Sequence, residues 1–86
     1  MTASRSVTVK YYEYPQDHVL GKMASLPDTL IGSLKRQLVD HFQLGTSSNN
    51  LVLREYGSEN HVYNDETSMS ESKIVNGSCV RVQLIT

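Results

Sequence analysis

The residues best suited to chemistry are one cysteine, Cys79, and three histidines, His18, His41 and His61. A cysteine nucleophile needs an imidazole within hydrogen-bond reach in a cleft. These histidines fall on different elements and Cys79 opens a strand, so the thiol is expected to be a packed or edge side chain. Paired Cys-x-x-Cys spacing is absent, so no metal site is expected. Asp65-Glu66 could form an acid/base pair, but its polar neighbours suit a solvated turn. The glycines do not make a phosphate loop. Ser68, Ser70 and Ser72, beside Glu66 and Glu71, could accept phosphate; the simpler reading is a flexible polar connection. Asn76-Gly77-Ser78 matches a glycosylation sequon and equally the chemistry of a tight turn, which is the reading adopted. The expectation is no catalytic residue, no cofactor and no enzyme activity.

The elements that carry these residues follow from periodicity. Val7, Val9 and Tyr11 alternate with Thr8, Lys10 and Tyr12, predicting a strand over 6–13. Tyr14-Pro15-Gln16-Asp17 supplies a turn into a second strand over 18–26. That strand is ambiguous in parity: Leu26, Ala24, Lys22 and Leu20 share one face, Val19 and Met23 the other, so a bulge near Gly21 is expected. Ile31, Leu34, Leu38 and Phe42 recur at three and four residues, predicting an amphipathic helix over 29–43 with Lys35, Arg36 and Asp40 off the apolar stripe. Asp28 or Thr29 is the expected N-cap and Gly45 the left-handed closing residue. Gly32 implies either close approach to the sheet or simple tolerance near the first turn, and tolerance is preferred.

Beyond the polar loop 46–50, Leu51-Val52-Leu53 reads as a third strand. Gly57 to Asn60 turns it into a short strand around His61-Val62-Tyr63. Val80, Val82 and Leu84 alternate in a final strand over 79–85. The resulting class is α+β: a mixed sheet of four to five strands packed on one helix. Residues 1–5 are expected as a flexible tail and 6–86 as one domain.

Size and charge narrow the function. At 86 residues the chain suits a single core, and 38% hydrophobic residues exceed what a disordered chain carries. Eight Lys and Arg against nine Asp and Glu give a net charge of −1, which offers no attraction to nucleic acid or anionic membrane. No apolar run approaches the roughly 20 residues of a membrane span. A lone cysteine makes no internal disulfide, which fits a reducing, cytoplasmic setting.

The order of elements, with Ile31-x-x-Leu34-Lys35-x-x-Leu38 in the helix and Ser68-Met69-Ser70-x-x-x-Ile74 ahead of Val80-x-Val82-x-Leu84, resembles ubiquitin-like β-grasp domains over nearly the whole chain. Leu51-Val52-Leu53-x-x-Tyr56-Gly57 followed by Val62-Tyr63 is similar to the ubiquitin-like domain of tubulin-folding cofactor B. Val19-Leu20 and Leu26-Pro27 ahead of the helix are similar to that of cofactor E. The resemblance implies a monomeric, non-catalytic protein-interaction module whose partner is α-tubulin or another tubulin-folding cofactor. Other implied roles are an accessory domain of a ubiquitin-pathway protein and a Ras-association domain binding a small GTPase. Leu84-Ile85-Thr86 stands where ubiquitin has a Gly-Gly tail, so covalent attachment to targets is not expected.

In the ubiquitin plan the sheet face opposite the helix is exposed. Strand parity then places Lys10, Tyr12, Val52, Arg54, Arg81 and Gln83 on it. This basic and aromatic set is the expected binding surface, suited to an acidic or polar partner.

Overall fold

The computed structural model describes residues 3–13, 16–57 and 61–84. Alternation produces β1, Arg5–Glu13, with Val7 and Val9 buried. It pairs antiparallel with β2, Gln16–Ser25. The turn expected at 14–17 lies partly outside the described residues. Between Val9 and Lys10 the register slips: Val9 faces Gly21 and Lys10 faces Val19, leaving Leu20 as the extra residue of a bulge. The bulge resolves the ambiguous parity. Met23 and Ser25 are buried on one side of it, Leu20 packs on the core beyond it, and Val19 and Leu26 are exposed. Gly21 is required there. Its φ is +148°, and a Cβ would sit 3.0 Å from Phe42 Cε1.

The helix α1, Ile31–His41, is shorter than the stretch 29–43 that its periodicity predicts. Ile31, Leu34 and Leu38 are fully buried and Phe42 packs partly on the core. Neither end closes as expected. The N-cap is Leu30, which has no side-chain capping bond, and not Asp28 or Thr29. The first amides are satisfied from a distance: Ile31 N–H donates to the Thr67 carbonyl at 2.8 Å and Gly32 N–H to the Asp65 carbonyl at 3.0 Å. At the other end Gln43, with φ 51°, takes the left-handed position, and Leu44 N–H closes onto the Val39 carbonyl at 3.0 Å. Gly45 also has positive φ, but it lies beyond this closure.

After a 3-10 turn, Ser48–Asn50, comes β3, Leu51–Glu55, antiparallel to β4, Ser78–Leu84, which runs parallel to β1. The sheet is mixed and four-stranded, in the order β2-β1-β4-β3. The strand expected around 61–63 reduces to one bridge, Arg54 with Val62, supported by Tyr63 N–H to the Leu53 carbonyl at 3.0 Å. The turn expected at 57–60 and Ile85 of the expected last strand fall partly or wholly outside the described residues. Asn76-Gly77 does form a turn. Asn76 Oδ1 accepts from Ser6 N–H at 2.8 Å, and Gly77 N–H donates to the Ser6 carbonyl at 2.8 Å, which seats β4 beside β1. Among the described residues no helix is long and apolar enough to cross a membrane.

The segment 64–73 corrects the largest expectation. It is not an open polar connection. Met69 is completely buried, Met69 N–H donates to the Thr29 carbonyl, and Ser70 N–H donates to the Pro27 carbonyl. Ser68 and Glu71 exchange side-chain to backbone bonds of 3.1 Å in both directions, which buries Ser68. Lys35, expected off the buried stripe, has a side chain only 10% exposed and is paired at 2.6 Å with Asp65. The preference for simple tolerance of Gly32 also fails, since a Cβ there would lie 3.3 Å from the Asp65 carbonyl oxygen. The close approach is to this segment and not to the sheet.

Removing one partner of a buried pair leaves a charge without compensation, at about 3–5 kcal/mol when both groups are enclosed. Asp65 is 58% exposed, so solvent screens much of this. Asp65→Asn is expected to lower stability by about 1–2 kcal/mol in urea unfolding. Glu66→Gln, at an exposed neighbour, is expected to change it by less than about 0.5 kcal/mol. Equal curves for the two variants would mean that the pair does not hold the segment.

Candidate protein-interaction site

Burial of Val7 and Val9 on β1, Leu51 and Leu53 on β3, and Val80 and Val82 on β4 leaves the intervening residues on the opposite face. Register then aligns them. Lys10 is the partner of Arg81, and Arg81 is the partner of Arg54. The same row continues to Val19 on β2 and to Val62, the bridge partner of Arg54. Val52 faces Gln83 in the neighbouring row, and Arg54 Nε donates to Gln83 Oε1 at 2.9 Å. Five of the six expected surface residues therefore share one face. Tyr12 stands in β1 opposite Asp17, but its side chain lies outside the described residues.

Sequence reasoning missed three members of this face. Val19 is 65% exposed, Val62 47% and Tyr56 40%. Tyr56 is two residues beyond Arg54, with the same parity as Val52, so its side could have been read by extending the strand one step. Lys10 Nζ lies 4.1 Å from the Tyr56 ring centroid and Arg81 Cζ 5.5 Å from it. Each such contact at an exposed site contributes roughly 0.5–1 kcal/mol and holds the cation in place. Val19 was unreadable because its parity depends on the bulge.

The groups considered for catalysis lie on separate elements. His18 is on β2, His41 ends α1 edge-on to Phe42, and His61 packs edge-on to Tyr63 at 5.2 Å between centroids. Cys79 is half-buried on β4. Among the described residues no group of three or more His, Cys, Asp and Glu could hold a metal ion. The Tyr63 hydroxyl is pushed up to about 12, mainly by burial and then by Glu55 and Cys79, so it remains a neutral phenol. Of the three serines, Ser68 is buried, Ser72 is half-buried with its Oγ 2.9 Å from Thr67 Oγ1, and Ser70 is exposed.

Solved structures share this architecture. Ubiquitin of Caldiarchaeum subterraneum matches with a TM-score of 0.75 at 8% identity, covering 98% of this chain and 96% of that one. The ubiquitin-like domain of Plasmodium falciparum Dsk2 gives 0.73 at 15% identity, with 95% and 99% covered. A ubiquitin-like domain from Arabidopsis thaliana gives 0.71 at 20% identity, with 96% and 79% covered. No protein-family model and no curated protein matches the sequence. The chain has the ubiquitin-like β-grasp fold.

Ring currents report the Tyr56 contact directly. The side-chain methylene protons of Lys10 are expected to resonate upfield of ordinary lysine values, to stay there in Tyr56→Phe and to return in Tyr56→Leu. Unchanged Lys10 resonances in Tyr56→Leu would show that the ring is not beneath the ammonium.

Proposed function

We propose that this chain is a non-catalytic, cytoplasmic protein-interaction module that recognises its partner through the sheet face bearing Lys10, Val52, Arg54, Tyr56, Arg81 and Gln83. The observation that carries the reading is the in-register alignment of Lys10, Arg81 and Arg54 across three adjacent strands, with Tyr56 beneath two of them. The opposite side of the sheet is consumed by the core. A rigid strand framework that presents cations, an aromatic ring and exposed valines suits recognition of an acidic protein surface.

The finer assignment is to a tubulin-folding cofactor acting on α-tubulin. It rests on Leu51-Val52-Leu53-x-x-Tyr56-Gly57 and Val62-Tyr63, and three of these residues, Val52, Tyr56 and Val62, belong to the face itself or its rim. The same plan serves the alternative, an accessory domain of a ubiquitin-pathway protein.

Arg54→Glu combined with Arg81→Glu reverses two charges without touching the core. Once equal melting temperatures are established, isothermal titration against tubulin at low salt is expected to show binding by the native chain. The double variant is expected to bind at least about tenfold more weakly, with a smaller difference as salt is raised. Equal affinities would reject the face. Tight binding to ubiquitin-pathway receptors with none to tubulin would replace the tubulin assignment with the alternative.

A further inference from the structure

The turn ahead of β4 joins an exposed asparagine to an exposed glycine, Asn76-Gly77, whose chemistry neither the core nor the outer face uses. Ser78 N–H closes the turn onto the Val75 carbonyl at 3.0 Å, and Ser78 Oγ accepts from Val75 N–H at 2.9 Å. Gly77 has φ +90°, and nothing lies within 4 Å of the place a Cβ would take. An asparagine followed by glycine is the pairing that most readily loses its amide. With no side chain on the second residue, nothing crowds its main-chain nitrogen away from the carboxamide carbon of the first.

The reaction needs only base and water. Base removes the Gly77 amide proton, and the nitrogen lone pair forms a bond to Asn76 Cγ. The Cγ–Nδ2 bond breaks, the departing nitrogen takes up a proton and leaves as ammonia, and a five-membered succinimide remains. Water then opens the ring at one of its two carbonyls. Attack at Cγ gives aspartate at position 76. Attack at the main-chain carbonyl gives isoaspartate, in which the chain runs through Cβ and Cγ and is one carbon longer.

In the folded chain both reacting groups are held by one residue of β1. Asn76 Oδ1 accepts from Ser6 N–H at 2.8 Å, and Gly77 N–H donates to the Ser6 carbonyl at 2.8 Å. Arg5 Nη1 adds a third bond, to the Ile74 carbonyl at 2.9 Å. The first bond keeps the carboxamide turned toward β1, and the second covers the proton that base must remove. Ring closure requires both to break, and they break together when the start of β4 leaves β1.

We infer that Asn76 is a site of spontaneous deamidation gated by the β1–β4 contact, so that its conversion records how often the two strands part. The inference is independent of the sheet-face reading. Its products have different consequences. Aspartate keeps the length of the chain and an oxygen to accept from Ser6 N–H. Isoaspartate inserts its extra carbon just ahead of Val7 and Ser78, the first pair of the parallel register, and moves the Gly77 amide off the Ser6 carbonyl. Removal of the Gly77 proton by base is also the event that hydrogen exchange measures, so one opening equilibrium scales both rates.

The test incubates the full chain in mildly alkaline buffer, folded and unfolded in urea. Mass spectrometry with electron-transfer fragmentation follows Asn76 and separates aspartate from isoaspartate. Conversion is expected to be at least about tenfold slower in the folded chain, and the slowing is expected to equal the Gly77 amide protection factor within about threefold. Arg5→Ala removes one of the three bonds without entering the core and is expected to raise Gly77 exchange and deamidation by the same factor. Equal conversion in folded and unfolded chains would overturn the gate, as would faster Gly77 exchange in Arg5→Ala with no faster deamidation. Aspartate without isoaspartate would mean direct hydrolysis of the amide and would remove the cyclisation step.

Discussion

Burial of one side of the sheet constrains everything else in this molecule. Side chains on a strand alternate between faces, so fixing Val7 and Val9, Leu51 and Leu53, and Val80 and Val82 in the core fixes every residue between them outside. A one-residue slip in β4 would exchange Val80 and Val82 for Cys79, Arg81 and Gln83 and place a guanidinium in the core. The free energy of apolar burial, about 1.5–3 kcal/mol for each fully enclosed valine or leucine, therefore sets the register. The register in turn lines up Lys10, Arg81 and Arg54. The row of three cations is a product of the same alternation that makes the core, and the turn after β3 adds Tyr56 to it.

The helix is secured on this sheet by a second device. Its first amides do not use side-chain caps; they are bound by carbonyls of the segment 64–70, whose own amides return to Thr29 and Pro27. Asp65 lies within this exchange, accepting from Gly32 through its carbonyl and pairing with Lys35 through its carboxylate. Met69 and Ile74, both fully buried, anchor the remainder. A stretch of polar residues thereby becomes an ordered strap from the bridge at Val62 to the turn that starts β4. It lies on the helix side of the sheet and leaves the opposite face open.

Much of this plan was legible in the sequence because it rests on local periodicity. The period-two runs of β1, β3 and β4 and the stripe of Ile31, Leu34 and Leu38 each announce a buried face without reference to the rest of the chain. The parity of Lys10, Val52, Arg54, Arg81 and Gln83 followed directly. What was hidden depends on residues distant in sequence. The capping of α1 comes from thirty and more residues downstream, so local cap chemistry at Asp28 and Thr29 pointed to the wrong device. Lys35 looked solvated because its partner, Asp65, lies in another segment. In β2 a single extra residue, Leu20, inverts the parity of everything before it, which left Val19 unassigned and kept one end of the outer row out of view.

The central claim is that recognition occurs on the sheet face and nowhere else on the domain. Its main competitor is the opposite pole, where Leu26, Leu30 and Val75 are about half exposed. Amide chemical-shift mapping of the isotopically labelled chain during titration with tubulin compares the two in one experiment. The account predicts that the largest perturbations fall on Lys10, Val52, Arg54, Tyr56, Arg81 and Gln83, with Leu26, Leu30 and Val75 unmoved. Perturbations centred on Leu26, Leu30 and Val75, with the β1, β3 and β4 amides unchanged, would contradict it.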